Sequence, residues 1–321
     1  MLRFATRRLV RSVPVLFVGS FLLFLAVRSA FDPLSKLRQL RDPEVIQRET
    51  ERLGLDRSVP VQYMKWLKGF VTGDWGVSVR TSGDVRPMIT DALVVTLQLL
   101  VPALILATVA AIAVGVYSAL RQYSVGDHVL TALAYIGLAM PAFWFGLVLI
   151  QTLAIWPQRA LDLEEPPLYF VGLHSPGQPH SLLDTARHLV LPVLTLTVGL
   201  VASWSRFMRS SMLGALSSDY VRTARAKGVP RRQVVVNHAL RNSWGPLMTV
   251  VALDAALLVG GLLITEQVFS IPGMGRLFLT SLLAGDVNVL LPWMFVTGIA
   301  VITFNLLADI GYGLLDPRVR L

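Results

Sequence analysis

Long runs of apolar residues alternate along this chain with shorter polar segments. A helix of about 20 apolar residues spans the hydrocarbon core of a bilayer, and six runs nearly free of charge approach that length. The pattern therefore predicts an all-α integral membrane protein with six transmembrane helices. Their predicted bounds are about residues 9–30, 92–120, 129–156, 189–208, 244–266 and 287–310.

Prolines lie within or at the ends of four of these runs. Pro102 belongs to the second run, Pro141 to the third, Pro192 to the fourth and Pro292 to the sixth. Each proline removes a backbone N–H from its helix, so neighbouring groups must satisfy the carbonyl that it frees. We expect these prolines to shape the helices, and a hinge is the alternative.

The polar segments predict how the chain is organised. Residues 31–91 carry mixed charges and two stretches with apolar residues at helical spacing, which predicts small helices packed outside the membrane. Residues 157–188 are rich in Pro, Gly, Ser and His, which predicts an irregular outer loop. The chain is thus divided into an N-terminal unit, 1–91, and a main transmembrane unit, 92–316.

Composition agrees with a membrane protein. Hydrophobic residues make up 54% of the chain, charged residues 15%, and the mean hydropathy is +0.61, which is too apolar for a soluble enzyme of this length. Cysteine is absent, which excludes disulfides and thiolate metal sites. For His174 and His180 a solvated loop is expected, and a metal site is the alternative. We predict no catalytic residues and no metal ligands.

The net charge of +9 is explained by where the basic residues lie. The N-terminus, residues 121–128, residues 206–243 and the tail together hold 15 basic and four acidic residues, whereas the segments of the other face hold 14 of each. The positive-inside rule therefore places both termini in the cytoplasm. The basic residues also lack the interleaved aromatic residues of a strand-binding surface, so no nucleic-acid partner is predicted.

The first apolar run also has features of a signal peptide, since Arg3, Arg7, Arg8 and Arg11 precede it. A cleavage site of small residues is missing, because Arg28 interrupts the sequence AVRSA. We therefore expect the run to be kept as a membrane span, and cleavage is the alternative.

The segment from Ser217 to Pro230 is punctuated as a short helix. Ser217 or Ser218 can cap its N-terminus, and Gly228 followed by Pro230 ends it. The small residues expected on its surface, where they would allow close contact with another protein, are Thr223, Ala224 and Ala226. The alternative is a solvated basic loop.

Several motifs resemble one family. DYVRTARAKGV (219–229), followed by HALRN (238–242), is similar to the cytoplasmic coupling loop of type I ABC importer permeases, and especially of the B-type subunit in dipeptide and oligopeptide systems. The general family pattern begins Glu-Ala-Ala where this chain has Arg222-Thr223-Ala224, a departure typical of the peptide branch. Further matches are GDWGVSVRTSGDV (73–85), LAMPAFWFGLVLI (138–150), HLVLPVLTL (188–196), RFMRSSM (206–212), TEQVFSIPGMGRL (265–277) and DPRVRL (316–321).

The resemblance implies a permease subunit of a binding-protein-dependent importer in a bacterial inner membrane. A homologous second permease would complete the pathway, two ATP-binding-cassette ATPases would bind ATP and Mg²⁺, and an extracytoplasmic solute-binding protein would deliver the substrate. This chain would need no cofactor of its own. The implied substrates are dipeptides or oligopeptides, with nickel chelates or glutathione-like compounds as alternatives.

The resemblance also assigns roles within the transmembrane unit, 92–316. Residues 209–243 would form the cytoplasmic coupling loop that docks an ATPase. The coupling helix would comprise Asp219, Tyr220, Val221, Arg222, Thr223, Ala224, Arg225, Ala226, Lys227 and Gly228. Residues after the fifth span would help to close an external gate before a short helix over 277–283, and a simple connecting loop is the alternative. The gate candidates are Glu266, which is also a possible partner of Arg276, and Pro272, Gly273 and Gly275.

Asp254 is an acid near the centre of the fifth span. Placing an acid there costs on the order of 3 kcal/mol, so its side chain should face the bundle interior, a water-filled pathway or a partner. We regard it as a candidate contact in the pathway. A hydrogen-bonded packing residue is the alternative.

Two other classes of membrane protein compete with this interpretation. A secondary carrier needs a site for its coupling ion and often shows internal repeats, whereas this chain has one mid-span acid and no visible repeat. A membrane enzyme needs clustered catalytic groups, and neither GxSxG nor HExxH occurs. The chain also lacks GxxxxGK[ST], so we expect no ATP hydrolysis by this chain alone.

Overall fold

The computed structural model describes residues 2–31, 43–177 and 181–315, and it confirms the prediction of an all-α membrane protein. Within these ranges the only β pairing is an isolated bridge between Val77 and Asp84. The first helices are α1 Leu2–Ala30, α2 Pro43–Leu53, α3 Val59–Thr72, α4 Val85–Leu120, α5 Val125–Ala139 and α6 Ala142–Leu149, then a π-helical Ile150–Ile155 and α7 Trp156–Ala160. The others are α8 Leu182–Leu216, α9 Asp219–Ala226, α10 Arg231–Gln233, a π-helical Val234–Leu240, α11 Arg241–Val259, α12 Leu263–Val268, α13 Met274–Leu283 and α14 Val287–Leu315.

Membrane spans can be recognised by their length and composition. Five helical stretches qualify, and α5 to α7 supply a sixth if that bent pair crosses as one unit. The predicted number of six therefore depends on the bent pair. The five single stretches are Val10–Ala30, Val85–Leu120, Leu182–Leu216, Arg231–Val259 and Val287–Leu307.

The third predicted span, 129–156, is not one straight helix. α5 ends at Ala139, and the chain bends by 108° before it continues through Ala142–Ala160. Met140 has an extended backbone, with φ −76° and ψ 126°, because the ring of Pro141 disfavours a helical conformation in the residue before it. Pro141 thus interrupts the helix of the third span, whereas only a change in the shape of the helix was expected.

The predicted fifth span, 244–266, ends too late. α11 stops at Val259, and Glu266 belongs to the separate helix α12. Gly261 has a φ of +126° in the intervening turn, and a Cβ added there would lie 2.6 Å from the Cα of Gly275. The turn can form because glycine tolerates both this conformation and this close approach.

Helical structure also extends further than predicted on both sides of the fourth span. α8 runs from Leu182 to Leu216 instead of 189–208, and the side chain of Ser181 caps it by accepting from the Asp184 N–H at 3.1 Å. The predicted loop 209–243 is largely helical, since it contains the end of α8, α9 and the residues leading into α11. Residues 161–177 are irregular, as expected for that part of 157–188.

Buried apolar residues form successive clusters along α4 and α8, which run parallel. The clusters define two ends of the bundle. At the first, which we call the α9 end, α9 packs beside the C-terminal parts of both helices. The middle cluster joins α4 and α8 to the end of α11. At the second, which we call the insertion end, the start of α4 meets α13 and α14, and α1 meets α3.

The N-terminal unit contains the small helices that were predicted, α2 and α3. α3 begins after Ser58 with Pro60 in its first turn, and ends at Gly73 in the left-handed conformation. It packs along α1 and against the start of α14. The linker over residues 32–42 lies outside the described residues.

Candidate functional site

α9 is the short helix predicted between the fourth and fifth spans. Ser218 takes the N-cap position, but its hydroxyl donates to the Ala215 carbonyl and makes no cap bond. At the other end Gly228 is left-handed, with φ +76°, and its N–H donates to the Arg225 carbonyl at 3.0 Å. The predicted helix and its glycine stop are confirmed, whereas the predicted serine side-chain cap is wrong.

One face of α9 is fixed to the bundle. Val221 is 0% exposed and Ala224 7% exposed, and both pack in the cluster that contains Met212 of α8. The prediction that Ala224 lies on the surface is wrong, because it shares the buried helical face of Val221, three residues earlier. The exposed members of the segment are Asp219, Tyr220, Arg222, Thr223, Arg225, Ala226, Lys227 and Gly228. α9 therefore exposes a mainly basic surface, and its opposite, apolar face is buried.

An ion pair near α9, between a buried carboxylate and a half-buried guanidinium, was not predicted from the sequence. Asp127, in the first turn of α5, is 3% exposed, and its carboxylate accepts from Nε and Nη2 of Arg209 at 3.1 and 2.9 Å. The Tyr123 backbone N–H also donates to it at 3.0 Å. Such bidentate pairs fix both distance and angle. The sequence signal was an acid in a helix first turn facing the basic RFMRSSM motif, but pairing across 82 residues needs the fold.

The contact between α5 and α8 continues away from this pair. The guanidinium of Arg206 lies 4.7 Å from the ring centre of Tyr135. Further along, a Cβ added to Gly137 would be 3.1 Å from the Cβ of Ala202. α5 is therefore held to α8 by an ion pair, a cation–π contact and close packing, and we expect the two helices to move together.

Asp254 lies half-buried on α11 and accepts a hydrogen bond from the indole N–H of Trp204 at 2.7 Å. Trp204 is completely buried on α8. The bond therefore links the fifth span to the fourth in the interior of the bundle. It is the arrangement expected for a hydrogen-bonded packing residue.

Glu266 lies at the centre of a buried hydrogen-bond network. Its side chain is 0% exposed and accepts from the Thr96 hydroxyl at 2.7 Å and from the Arg276 backbone N–H at 2.8 Å. Thr96 in turn accepts from the Met274 N–H at 2.8 Å. The indole of Trp293 donates to the Met274 carbonyl at 2.8 Å. The network thus joins α4, α12, α13 and α14 at the insertion end.

Two of the other gate candidates, Gly273 and Gly275, lie close to this carboxylate. Gly273 and Gly275 are buried, and a Cβ on Gly273 would overlap the Glu266 carboxylate, whereas Pro272 is exposed. The predicted helix over 277–283 exists within α13. The guanidinium of Arg276 donates to the Ser270 carbonyl at 2.8 Å, so its contact with Glu266 is made through the backbone.

Two histidines, His174 and His188, lie beside an aspartate near the insertion end. His174 and His188 flank Asp184 at 3.7 and 3.6 Å, and the hydroxyl of Ser175 donates to the same carboxylate at 2.7 Å. Among the described residues no group of three or more His, Asp or Glu side chains has the arrangement to hold a metal ion. His180 lies outside the described residues.

Comparison with solved structures identifies the fold. The fold is that of the transmembrane domain of ABC transporters. The MetNI methionine ABC transporter in inward-facing conformations matches with a TM-score of 0.53 over 71% of this chain and 96% of that chain, at 16% identity. An amino acid ABC transporter solved with histidines matches with a TM-score of 0.50 over 70% and 93%, at 11% identity.

Sequence comparison then gives the family. Residues 111–321 match the model of the binding-protein-dependent transport system inner membrane component, and residues 1–100 match that of the N-terminal part of the same kind of membrane component. The chain belongs to this family and is a multi-pass inner-membrane protein. The family resemblance inferred from the motifs is confirmed, although the DPRVRL motif lies outside the described residues.

Full-length relatives share about a third of their residues with this chain. The oligopeptide transport system permease protein AppB of Bacillus subtilis is 36% identical over 325 residues, which covers 100% of both chains. OppB of Mycobacterium tuberculosis is 35% identical over 328 residues, and the dipeptide transport system permease protein DppB of Escherichia coli is 34% identical over 337 residues. Both comparisons cover 100% of this chain and 99% of the relative.

Proposed function

We propose that this chain is the permease subunit of an ATP-driven importer of dipeptides or oligopeptides. The names of the full-length relatives support the peptide class, because they are oligopeptide and dipeptide permeases. None of the relatives named above supports nickel chelates or glutathione-like compounds. The chain would form half of the translocation pathway, and a homologous permease would form the other half.

We further propose that α9 is the docking element for an ATPase. The observation that carries this proposal is a short helix with a mainly basic exposed surface whose opposite face, Val221 and Ala224, is buried against the bundle. A force applied to α9 would be transmitted to α8, because the buried face of α9 is packed against the bundle. ATP and Mg²⁺ would be bound by two ATPase partners, so the chain itself needs no cofactor.

The proposed orientation places the α9 end and both termini in the cytoplasm. The excess of basic residues on that side of the predicted topology supports it. The insertion end would then meet an extracytoplasmic solute-binding protein. The Glu266 network, with Pro272, Gly273 and Gly275, would stabilise the closed external gate by joining four helices there.

For Asp254 the bond from Trp204 supports the packing role over contact with substrate. A carboxylate already engaged by an indole inside the bundle is stabilised without a ligand.

Docking at α9 can be tested by protection from labelling. The chain contains no cysteine, so Thr223→Cys introduces a single thiol on the exposed side of α9. We expect a soluble maleimide to label it in the permease alone and labelling to fall at least several-fold once the ATPase subunits are bound. Glu164→Cys, exposed in the irregular segment, is the matched control and should label equally in both states. Equal labelling of Thr223→Cys in both states would refute docking at α9.

A further inference from the structure

α3 lies against the membrane-spanning part of α1 instead of beyond its end. Tyr63 is 1% exposed, and its hydroxyl is 2.7 Å from the Ser20 hydroxyl and 3.3 Å from the Phe17 carbonyl. Its ring makes edge contacts with three phenylalanines of α1 at 5.2 to 5.6 Å, namely Phe17, Phe21 and Phe24. The position of α3 is therefore fixed relative to the first span.

The depth of this contact follows from the charges that bound the first span. Arg11 and Arg28 enclose its apolar run, and Ser20 lies eight residues before Arg28, which corresponds to about 12 Å along a helix. The Arg28 side chain donates to Gln62 of α3 at 3.2 Å. Gln62 thus lies near the boundary of the apolar run, and the neighbouring Tyr63 reaches down towards its middle.

Contacts with the last span place the following turns of α3 at the same depth in the membrane. Trp66 and Phe70 contact Phe295 at ring distances of 5.7 and 4.7 Å. Phe295 lies eight residues after Val287, where the last apolar span begins, again about 12 Å along the axis. The protein-facing side of α3 is therefore level with the apolar parts of two spans.

The residues of α3 are sorted around its axis. At about 100° per residue, the protein-facing arc is followed directly by an exposed apolar arc and then by a polar arc. The protein-facing arc contains Tyr63, Trp66, Leu67 and Phe70, and the exposed apolar arc contains Pro60, Met64 and Val71. The remaining arc is mostly polar, with Lys65, Lys68 and Thr72, and also holds Val61, which is 43% exposed. Met64 is 53% and Val71 75% exposed, so the apolar surface continues past the contact with the protein.

This pattern is typical of a helix that lies in the membrane interface. Such helices bury an apolar arc in the boundary between headgroups and acyl chains and keep lysines on the other side. Lysine stems can extend along the boundary while their ammonium groups stay in water. α1 also carries exposed apolar residues in its membrane-spanning part, among them Val18, which is 56% exposed.

We propose that α3 is an interfacial membrane helix whose exposed apolar arc, Met64 and Val71 with Pro60, contacts the acyl chains of phospholipids. Lys65 and Lys68 face the headgroup layer. The N-terminal unit is then anchored in the bilayer along α3, which departs from the expectation that its helices pack outside the membrane. This inference does not depend on which solute is transported.

Spin labels on single cysteines test this directly, because the chain has no cysteine of its own. Labels at Met64→Cys and Val71→Cys are compared with a polar-arc control, Thr72→Cys, and a lipid-facing reference on the first span, Val18→Cys. The full chain is purified with its co-purifying subunits and reconstituted in phospholipid nanodiscs. We expect the collision rate with oxygen at labels 64 and 71 to equal that of the reference at 18. We expect their collision rate with a water-soluble nickel complex to be several-fold lower than that of label 72.

Two results would overturn the proposal. Nickel collisions at 64 and 71 as frequent as at 72 would mean that the apolar arc faces water. Low collision rates with both oxygen and nickel would mean that another protein subunit covers it. If Met64→Cys does not assemble, Val71→Cys, near the exposed end of the helix, carries the test on its own.

Discussion

Single buried polar groups determine which substitutions this bundle should tolerate. Glu266, Thr96 and Asp127 are each less than 4% exposed, and each makes side-chain hydrogen bonds to another helix. Leaving a buried polar group without its partner destabilises the protein by more than the hydrogen bond itself contributes to stability. Substitutions that remove one partner should therefore be more damaging than equal changes in size at exposed positions.

Thr96→Val is the cleanest test of the Glu266 network. Valine keeps the shape of threonine but leaves the Met274 N–H without its acceptor and one Glu266 oxygen without its donor. We expect a loss of about 2 kcal/mol in the free energy of unfolding, measured as a lower melting temperature in detergent. The control is Thr90→Val, an exposed position on the same helix whose hydroxyl donates to the Arg86 and Pro87 carbonyls one turn earlier. Equal melting of the two variants would contradict the network.

Two substitutions at Asp254 separate the effect of its charge from the effect of its hydrogen bond. Asp254→Asn removes the charge but keeps an oxygen that can accept from Trp204, whereas Asp254→Leu removes both. We expect the asparagine variant to transport like the wild type and the leucine variant to lose about 1 kcal/mol of stability. Reduced peptide uptake by the asparagine variant at unchanged stability would instead support the pathway contact.

At the scale of helices, the sequence predicted where apolar segments lie better than where they bend. Five of the six predicted spans correspond to single long helical stretches because about 20 apolar residues are a strong local signal. The break at Pro141 and the turn at Gly261 depend on local backbone geometry and on the neighbour Gly275, which hydropathy does not report. The early start of α4 at Val85 follows from the Asp84 side chain, which accepts from the Arg86 N–H.

The pairing of α5 with α8 should depend on Asp127 and Arg209 as a unit. Arg209→Gln leaves the buried Asp127 carboxylate uncompensated, and Asp127→Asn leaves the half-buried Arg209 without its partner. We expect each to cost about 2 to 4 kcal/mol. The double variant should cost less than the sum of the two, which a double-mutant cycle on unfolding measures.

A matched pair on α9 provides the control for this cycle. Asp219 and Arg222 lie 3.5 Å apart, with side chains 98% and 75% exposed, so their removal should change stability little. Additive effects of the Asp127 and Arg209 variants would contradict the coupling of α5 to α8.

At the scale of the whole molecule, function was predictable from ordered motifs and charge, whereas the contacts that would transmit motion were not. The resemblance predicts that the basic segment around Gly228 is a coupling helix, but its packing on the bundle through Val221 and Ala224 could be seen only in the fold. Likewise, no sequence pattern around Tyr63 indicated that its side chain contacts Ser20 in the middle of the first span. Long-range pairs of this kind leave no local pattern.

We propose that ATP hydrolysis by partner subunits drives uptake through this chain by way of α9. The most direct measurement is uptake of a labelled oligopeptide into proteoliposomes that contain the purified complex and its binding protein, for the wild type and for Gly228→Asp. We predict uptake that requires ATP in the wild type and background uptake in the variant, with normal assembly in the membrane. Uptake without any ATPase, or full ATP-driven uptake by the variant, would contradict the account.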